Sequence, residues 1–202
     1  MRYQGKNYRT LWLENEKLYI IDQNELPENF IIKELENIDA VYKAIVTMQI
    51  RGAPAIGAIA ALGYALALKK SSDDKLQANI SGIYNLLLSA RPTAVDLRNG
   101  LDHVRIAIQQ EIVAEKIKAA ALRSAQEFVE ASVSECLSLG RHGNELIHDG
   151  CRILTHCNAG ALATVDHGTA LAPIRAAHFD GKDIFVYVSE TRPRLQGARL
   201  TA

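Results

Sequence analysis

Disulfide chemistry has little material here: the chain holds three cysteines, an odd number, with no Cys-x-x-Cys spacing. No disulfide framework is expected, and a reducing, cytoplasmic setting is the simplest reading. An excess of one charge is also missing. Lys and Arg number 23 and so do Asp and Glu, which points to neither nucleic acid nor an anionic membrane as a partner. The opening run, Met1-Arg2-Tyr3-Gln4-Gly5-Lys6, lacks the apolar core of a signal peptide. The longest apolar run, Ala53 to Leu68, is interrupted by Pro54, Gly57 and Gly63 and falls short of a membrane span. It reads as a buried helix. His148, His156, His167 and His178 lack tight ligand spacing, and no nucleotide fingerprint appears, so neither a metal nor another cofactor is expected.

What is present is an ordinary globular composition: 202 residues, 48% hydrophobic and 23% charged. That length suits one large or two small domains. The informative stretch is Arg152-Ile153-Leu154-Thr155-His156-Cys157-Asn158-Ala159-Gly160. An apolar run ends in polar residues suited to chemistry, and small residues follow. This predicts a strand opening into a loop and then a helix, and ligands of open α/β sheets sit at such strand ends. A cysteine there lies near backbone N–H groups, a helix dipole and His156, a setting that suits a reactive thiol. Cys157 is therefore the lead functional candidate.

Upstream, residues 9–21 alternate as a hairpin around Glu14-Asn15-Glu16, and Phe30 to Leu35 reads as a third strand. From Ile38 the period becomes helical, with Val41, Ile45 and Met48 on one face. Gln49-Ile50-Arg51-Gly52-Ala53-Pro54 then puts an arginine and a glycine just before a helix whose first turn accepts Pro54. Arginine beside free N–H groups suits an anion. The same residues also fit a plain glycine turn with a surface arginine. Ala53, Gly57, Ala61 and Ala65 make a smooth face for close packing.

Ser71-Ser72-Asp73-Asp74 reads as a polar break before a helix from Gln77 to Ser89. Pro92 ends that helix, with Arg91 at the junction and Thr93 or Asp96 as the next cap. Ile106 to about Leu139 reads as one helix, with Ile112, Val113, Ile117, Ala121 and Cys136 on its apolar stripe and Gly140 and Gly143 ending or bending it. After the strand that leads to Cys157, a helix is expected from about Leu162 to His178. A buried strand over Ile184–Val188 follows, ending near Ser189-Glu190-Thr191. Strand, helix, strand makes a parallel βαβ unit, so Cys157 and the basic segment after Thr191 should line one crevice. A two-stranded parallel sheet is not a finished domain, so a continuing segment or second chain is expected to complete it.

Four blocks carry a resemblance: Arg51-Gly52-Ala53-Pro54-Ala55-Ile56-Gly57, Arg91-Pro92-Thr93-Ala94-Val95, Thr155-His156-Cys157-Asn158-Ala159-Gly160 and Glu190-Thr191-Arg192-Pro193-Arg194-Leu195-Gln196-Gly197-Ala198-Arg199. In this order they resemble the methylthioribose-1-phosphate isomerases. The opening Arg9-Thr10-Leu11 and Asp22-Gln23 look similar too. The wider family also contains ribose-1,5-bisphosphate isomerases and regulatory subunits of translation initiation factor 2B. The resemblance implies an α/β fold. It has an N-terminal, mainly helical domain with a small antiparallel sheet (residues 1–145), then the first βαβ of an incomplete Rossmann-like parallel sheet (residues 146–202).

The resemblance also implies an aldose–ketose isomerase of methionine salvage. It would convert 5-methylthioribose 1-phosphate to 5-methylthioribulose 1-phosphate and work as a cytoplasmic homodimer. By motif position Arg51, Gly52 and Ala53 would bind the substrate phosphate, Arg91 and Gln196 would contact substrate, and Cys157 would be the catalytic cysteine. The family's proton-donor aspartate and an Asn-Lys pair lie on strands beyond residue 202, so the 202 residues alone are expected to be inactive. Asp96 stands where asparagine is expected, and this reads as a local change. Two alternatives stay open: isomerisation of another 1-phosphate (5-deoxyribose 1-phosphate or ribose 1,5-bisphosphate), or a non-catalytic regulatory subunit.

Overall fold

The structure is a computed structural model that describes residues 1–192 and 194–202; Pro193, within the fourth block, lies outside the described residues. It opens with a two-stranded hairpin, β1 (Arg2–Tyr3) and β2 (Lys6–Asn7), which the sequence reading missed. Both strands are short, polar and exposed, so no apolar alternation marks them. The expected hairpin follows as β3 (Leu11–Glu14) and β4 (Lys17–Ile21), paired from Leu11 opposite Ile20 to Glu14 opposite Lys17. Its turn residues, Asn15 and Glu16, both have positive φ (49° and 63°), the twist that matches two antiparallel strands. β5 (Ile32–Leu35) completes the antiparallel sheet against β4.

Five helices pack behind this sheet. α1 (Ile38–Val46) is capped by Asn37, whose Oδ1 accepts from the Ala40 N–H at 2.9 Å. Met48 falls outside it, with φ 60°, so its helical spacing was coincidental. α2 (Ala53–Lys70) is the central helix, buried on nearly every side, as its apolar run predicts. α3 (Asp73–Ala90) starts before Gln77, because Ser72 takes the N-cap position and Asp73 and Asp74 enter the first turn. Carboxylates there favour the helix dipole, so the polar run starts the helix instead of separating it. α4 (Val95–Ile108) has Ala94 at its N-cap, with no side-chain cap bond. Thr93 does not cap it, and Asp96 sits within its first turn.

The helix expected from Ile106 to Leu139 is two helices. α4 ends at Ile108, the chain turns over residues 109–113, and α5 (Ala114–Asn144) runs for 31 residues. Ile112 is 90% exposed in that turn and Val113 is exposed too. The reversal lets Ile117, Ala121, Ala125 and Val129 of α5 bury against α2 and α4. Tertiary burial overrides a periodicity that carries no Gly or Pro to mark the break. Gly140 and Gly143 lie inside α5 and do not end it. A Cβ at Gly143 would come within 2.3 Å of Pro173 Cγ, so this position admits the close crossing of α6 (Leu171–Phe179).

β6 (Cys151–His156) and β7 (Ile184–Ser189) pair in parallel, from Cys151 opposite Ile184 to His156 opposite Ser189. The connection holds a short 3-10 turn (Ala161–Ala163) and α6, which begins only at Leu171. The helix expected from Leu162 is interrupted by a loop in which His167 and Gly168 have positive φ and Thr164 Oγ1 bonds the Asp166 carbonyl at 2.8 Å. β7 is not buried throughout. Side chains alternate, and Phe185 and Tyr187 lie exposed with Leu154, which is 71% exposed. After β7 the chain returns as an arm ending in a single π turn, Gly197–Thr201.

Candidate active site

The start of α2 is an uncapped helix N-terminus shaped as a shallow cradle. Its N-cap, Gly52, has φ 97°, which glycine adopts without strain, and supplies no side-chain cap. A Cβ at Gly52 would lie 2.2 Å from the Ala163 carbonyl oxygen, so only glycine lets the two segments meet. The first turn holds no acidic residue; Pro54 has no N–H, the Ile56 N–H bonds the Gly52 carbonyl at 2.9 Å, and the N–H groups of Ala53 and Ala55 precede the first intrahelical bond. Arg51 precedes it, 7% exposed, with Nε and Nη2 unpaired among the described residues. Burial lowers its pKa from the ordinary arginine value, and the nearby charges of Arg199 and Arg194 lower it further. Unmet charged donors in a buried place are costly, and an anion would satisfy them.

This cradle opens on a cavity of about 500 Å³. Arg51 and Gly52 line it from just before α2 and Ala53 from its first residue, Arg91 from the α3–α4 turn, Cys157 from just past β6 and Gln196 from the arm. Every site residue chosen from the sequence therefore faces one space, although the chain separates the first from the last by more than half its length. Asp96 and Asn158 line it as well, with Met48, Ile56 and Val95 as apolar wall. Met48 was placed on a helix face by its spacing and so was missed as a lining residue. Asp96 was noticed but read as a local change. Its place in the first turn of α4, beside Arg91-Pro92-Thr93, was the available signal.

Cys157 is the first residue past β6 and has φ 64°, an uncommon left-handed conformation for a side-chain-bearing residue. Its expected neighbours differ. The helix N-termini on the cavity are those of α2 and α4, and no residue of α6 lines it. His156 does not line the cavity; its Nδ1 pairs with Ser189 Oγ across the parallel strands. Residues of the N-terminal sheet hold the loop behind the cysteine. Thr10 Oγ1 donates to the Ala161 carbonyl, and the buried Gln23 Nε2 donates to the Leu162 carbonyl, each at 2.6 Å. The residues flanking that sheet's first two strands thus fix one wall of the cavity.

The arm is folded by its own contacts. The Glu190 carboxylate accepts from the backbone N–H groups of Ala198 at 2.9 Å, Thr191 at 2.7 Å and Gly197 at 3.1 Å. These bonds, that of Ala198 foremost, hold its carboxyl below the ordinary glutamate range. Gln196 Oε1 accepts from Thr191 Oγ1, which leaves its amide nitrogen free to donate into the cavity.

A mixed α/β fold thus brings a cysteine and a buried arginine, two of its nitrogens unpaired among the described residues, to one cavity. Comparison identifies the family. The pattern of the Initiation factor 2 subunit family (IF-2B) matches residues 49–202, and the chain belongs to that family. It is 45% identical, over 97% of its length and 58% of the relative's, to methylthioribose-1-phosphate isomerase 1 of Pseudothermotoga lettingae. A crystal structure of 5-methylthioribose 1-phosphate isomerase from Pyrococcus horikoshii OT3 superposes with a TM-score of 0.91 at 37% identity, over 98% of this chain and 56% of that one. A crystal structure named translation initiation factor eIF-2B, subunit delta, from A. fulgidus gives 0.87 at 40% identity, over 96% and 58%. The chain thus spans somewhat over half the length of the proteins it matches.

Proposed function

We propose that the cavity is the site of an aldose–ketose isomerase that converts 5-methylthioribose 1-phosphate to 5-methylthioribulose 1-phosphate. The observation that carries this reading is Arg51, buried and unpaired beside the uncapped start of α2, on the same cavity as Cys157. The names of the relatives support it.

The substrate's anomeric oxygen carries phosphate, so its ring cannot open unaided. In this reading Arg51 and the N–H groups after Gly52 hold the phosphate, with Ala53 at its edge. Arg91 and the Gln196 amide bind sugar oxygens. Ring opening needs a proton on the ring oxygen, and hydrogen must then pass from C2 to C1. Cys157 is the catalytic cysteine for that transfer, as proton carrier or as the group stabilising its transition state. The protein would act in the cytoplasm as a homodimer, with residues 1–145 forming a helical domain and 146–202 the start of a Rossmann-like one.

The direct test is protection. Iodoacetamide labelling of Cys157, read by mass spectrometry, should slow when 5-methylthioribose 1-phosphate is present, while Cys151 labelling stays constant. Equal Cys157 labelling with and without the sugar phosphate would contradict the reading. The A. fulgidus structure supports a second, regulatory reading by its name alone. Binding to initiation factor 2 without affinity for the sugar phosphate would favour it.

A further inference from the structure

We propose that Arg199 is a positioning residue: it pins the arm that carries Gln196 against the N-terminal part of the chain and so sets the mouth of the cavity. The reading rests on the proposed site but on different bonds. The Arg199 guanidinium leaves its own arm and grips the loop between β4 and β5. Its Nε donates to the Leu26 carbonyl at 3.1 Å, and its Nη2 donates to the same oxygen at 2.8 Å and to the Asn24 carbonyl at 2.7 Å. A planar fork across two carbonyls fixes direction as well as distance. Two residues on, Thr201 Oγ1 donates to the Cys157 carbonyl at 2.7 Å. Glu190 ties the arm's other end to the backbone of Gly197 and Ala198.

Gln196 therefore sits between two anchors. The loop that receives Arg199 is itself held, since Asn24 Nδ2 donates to the Thr47 carbonyl at 3.0 Å, next to the cavity residue Met48. Arg199 thus links the α1–α2 connection, which carries Arg51, to the arm, which carries Gln196. Its charge also reaches Arg51, whose pKa it helps lower. None of these bonds involves the cavity's contents, so Arg199 acts through the groups it places.

The test uses the 202-residue chain as Arg199→Ala, Gln196→Ala and the double variant, with Arg199→Lys as a milder change. Far-UV circular dichroism checks that each is folded. Without ligand, Arg199→Ala should raise the rate of Cys157 alkylation by iodoacetamide about tenfold, with Cys151 unchanged. An unchanged Cys157 rate in a folded variant would overturn the proposal. The second readout is affinity for 5-methylthioribose 1-phosphate by calorimetry. Each single variant should weaken it about tenfold, and the double variant should be no weaker than the singles, since both remove the same placed group. Losses that multiply would show that Arg199 acts independently of Gln196 and would overturn it. If the parent chain does not bind the sugar phosphate, the functional reading fails, and the alkylation rates still decide the role of Arg199. Should Arg199→Ala not fold, Arg199→Lys must show the same signs at smaller size.

Discussion

Gly57 and Gly100 meet backbone to backbone where α2 crosses α4: a Cβ at Gly100 would lie 2.3 Å from the Gly57 carbonyl oxygen, and one at Gly57 would lie 2.6 Å from that of Asp96. The crossing places the first turn of α4, with Asp96, beside the start of α2, with Arg51 and Gly52. Helix contact and cavity are one piece of geometry.

Gly100→Ala should therefore cost more than a change of helix propensity. Alanine favours a helix interior by about 1 kcal/mol over glycine, yet here the added carbon strikes backbone that must move. Overpacking of this kind costs about 1–3 kcal/mol. Urea unfolding should show a lower midpoint with an unchanged slope, and phosphate affinity should fall because the cavity wall shifts. A midpoint raised by the better helix former would contradict the crossing.

Arg51 invites a change with opposite effects on stability and binding. Arg51→Met removes unpaired buried donors and keeps the packing volume, so the ligand-free protein should gain about 1 kcal/mol. For a chain of this size that is a rise in Tm of about 2–4 °C. Binding of inorganic phosphate, measured by calorimetry, should fall by about tenfold or more, since a charge-assisted bond contributes about 1.5–3 kcal/mol. Loss of stability without ligand would mean that Arg51 has a structural partner.

Asp166 gives a pH dependence of definite sign. Burial would raise its pKa, but bonds from the Met1 ammonium at 2.9 Å and the His167 N–H at 2.7 Å outweigh that and hold it below the ordinary aspartate value. A depressed carboxyl pKa means stability that is full above the unfolded value, near pH 4, and is lost as pH falls through the folded value. Asp166→Asn should destabilise the protein at neutral pH and flatten the loss of stability below about pH 4. Parallel pH curves for the two proteins, followed by urea unfolding, would refute this.

The turn between α4 and α5 separates the true boundary from the expected one. Ile112→Lys should change stability by less than about 0.5 kcal/mol, because the side chain already faces water. Ile117→Ala, at a fully packed site in α5, should cost about 2–5 kcal/mol. Similar costs at both positions would restore the single long helix.

The sequence signals that held were those with a local cause. Pro54 and Pro92 mark a helix start and a helix end, alternation marks β3 and β4, and a long apolar run marks a helix buried all round. Boundaries set by tertiary burial were not legible: nothing in Gln109-Gln110-Glu111 announces a reversal that only the packing of Ile117 and Ala121 rewards. The site showed the same division. Motif blocks named Arg51, Arg91, Cys157 and Gln196, and the fold brings them to one cavity. The misreading of His156 followed from chain adjacency: His156 ends β6 and pairs with Ser189 on the neighbouring strand, while Cys157 leaves the strand with φ 64°. Arg199 lay within the quoted block, yet its partners at Asn24 and Leu26 were visible only once the chain was folded.

The measurement that bears most directly on the central claim is turnover of 5-methylthioribose 1-phosphate, followed by NMR. It should be run on this chain alone and on the chain supplied with the part of the Pseudothermotoga lettingae relative that it does not match. The account expects the ketose 1-phosphate to form when that part is supplied, and Cys157→Ser to slow it about a hundredfold or more. Turnover that Cys157→Ser leaves unchanged, or a folded reconstituted protein that binds the sugar phosphate without converting it, would contradict the account.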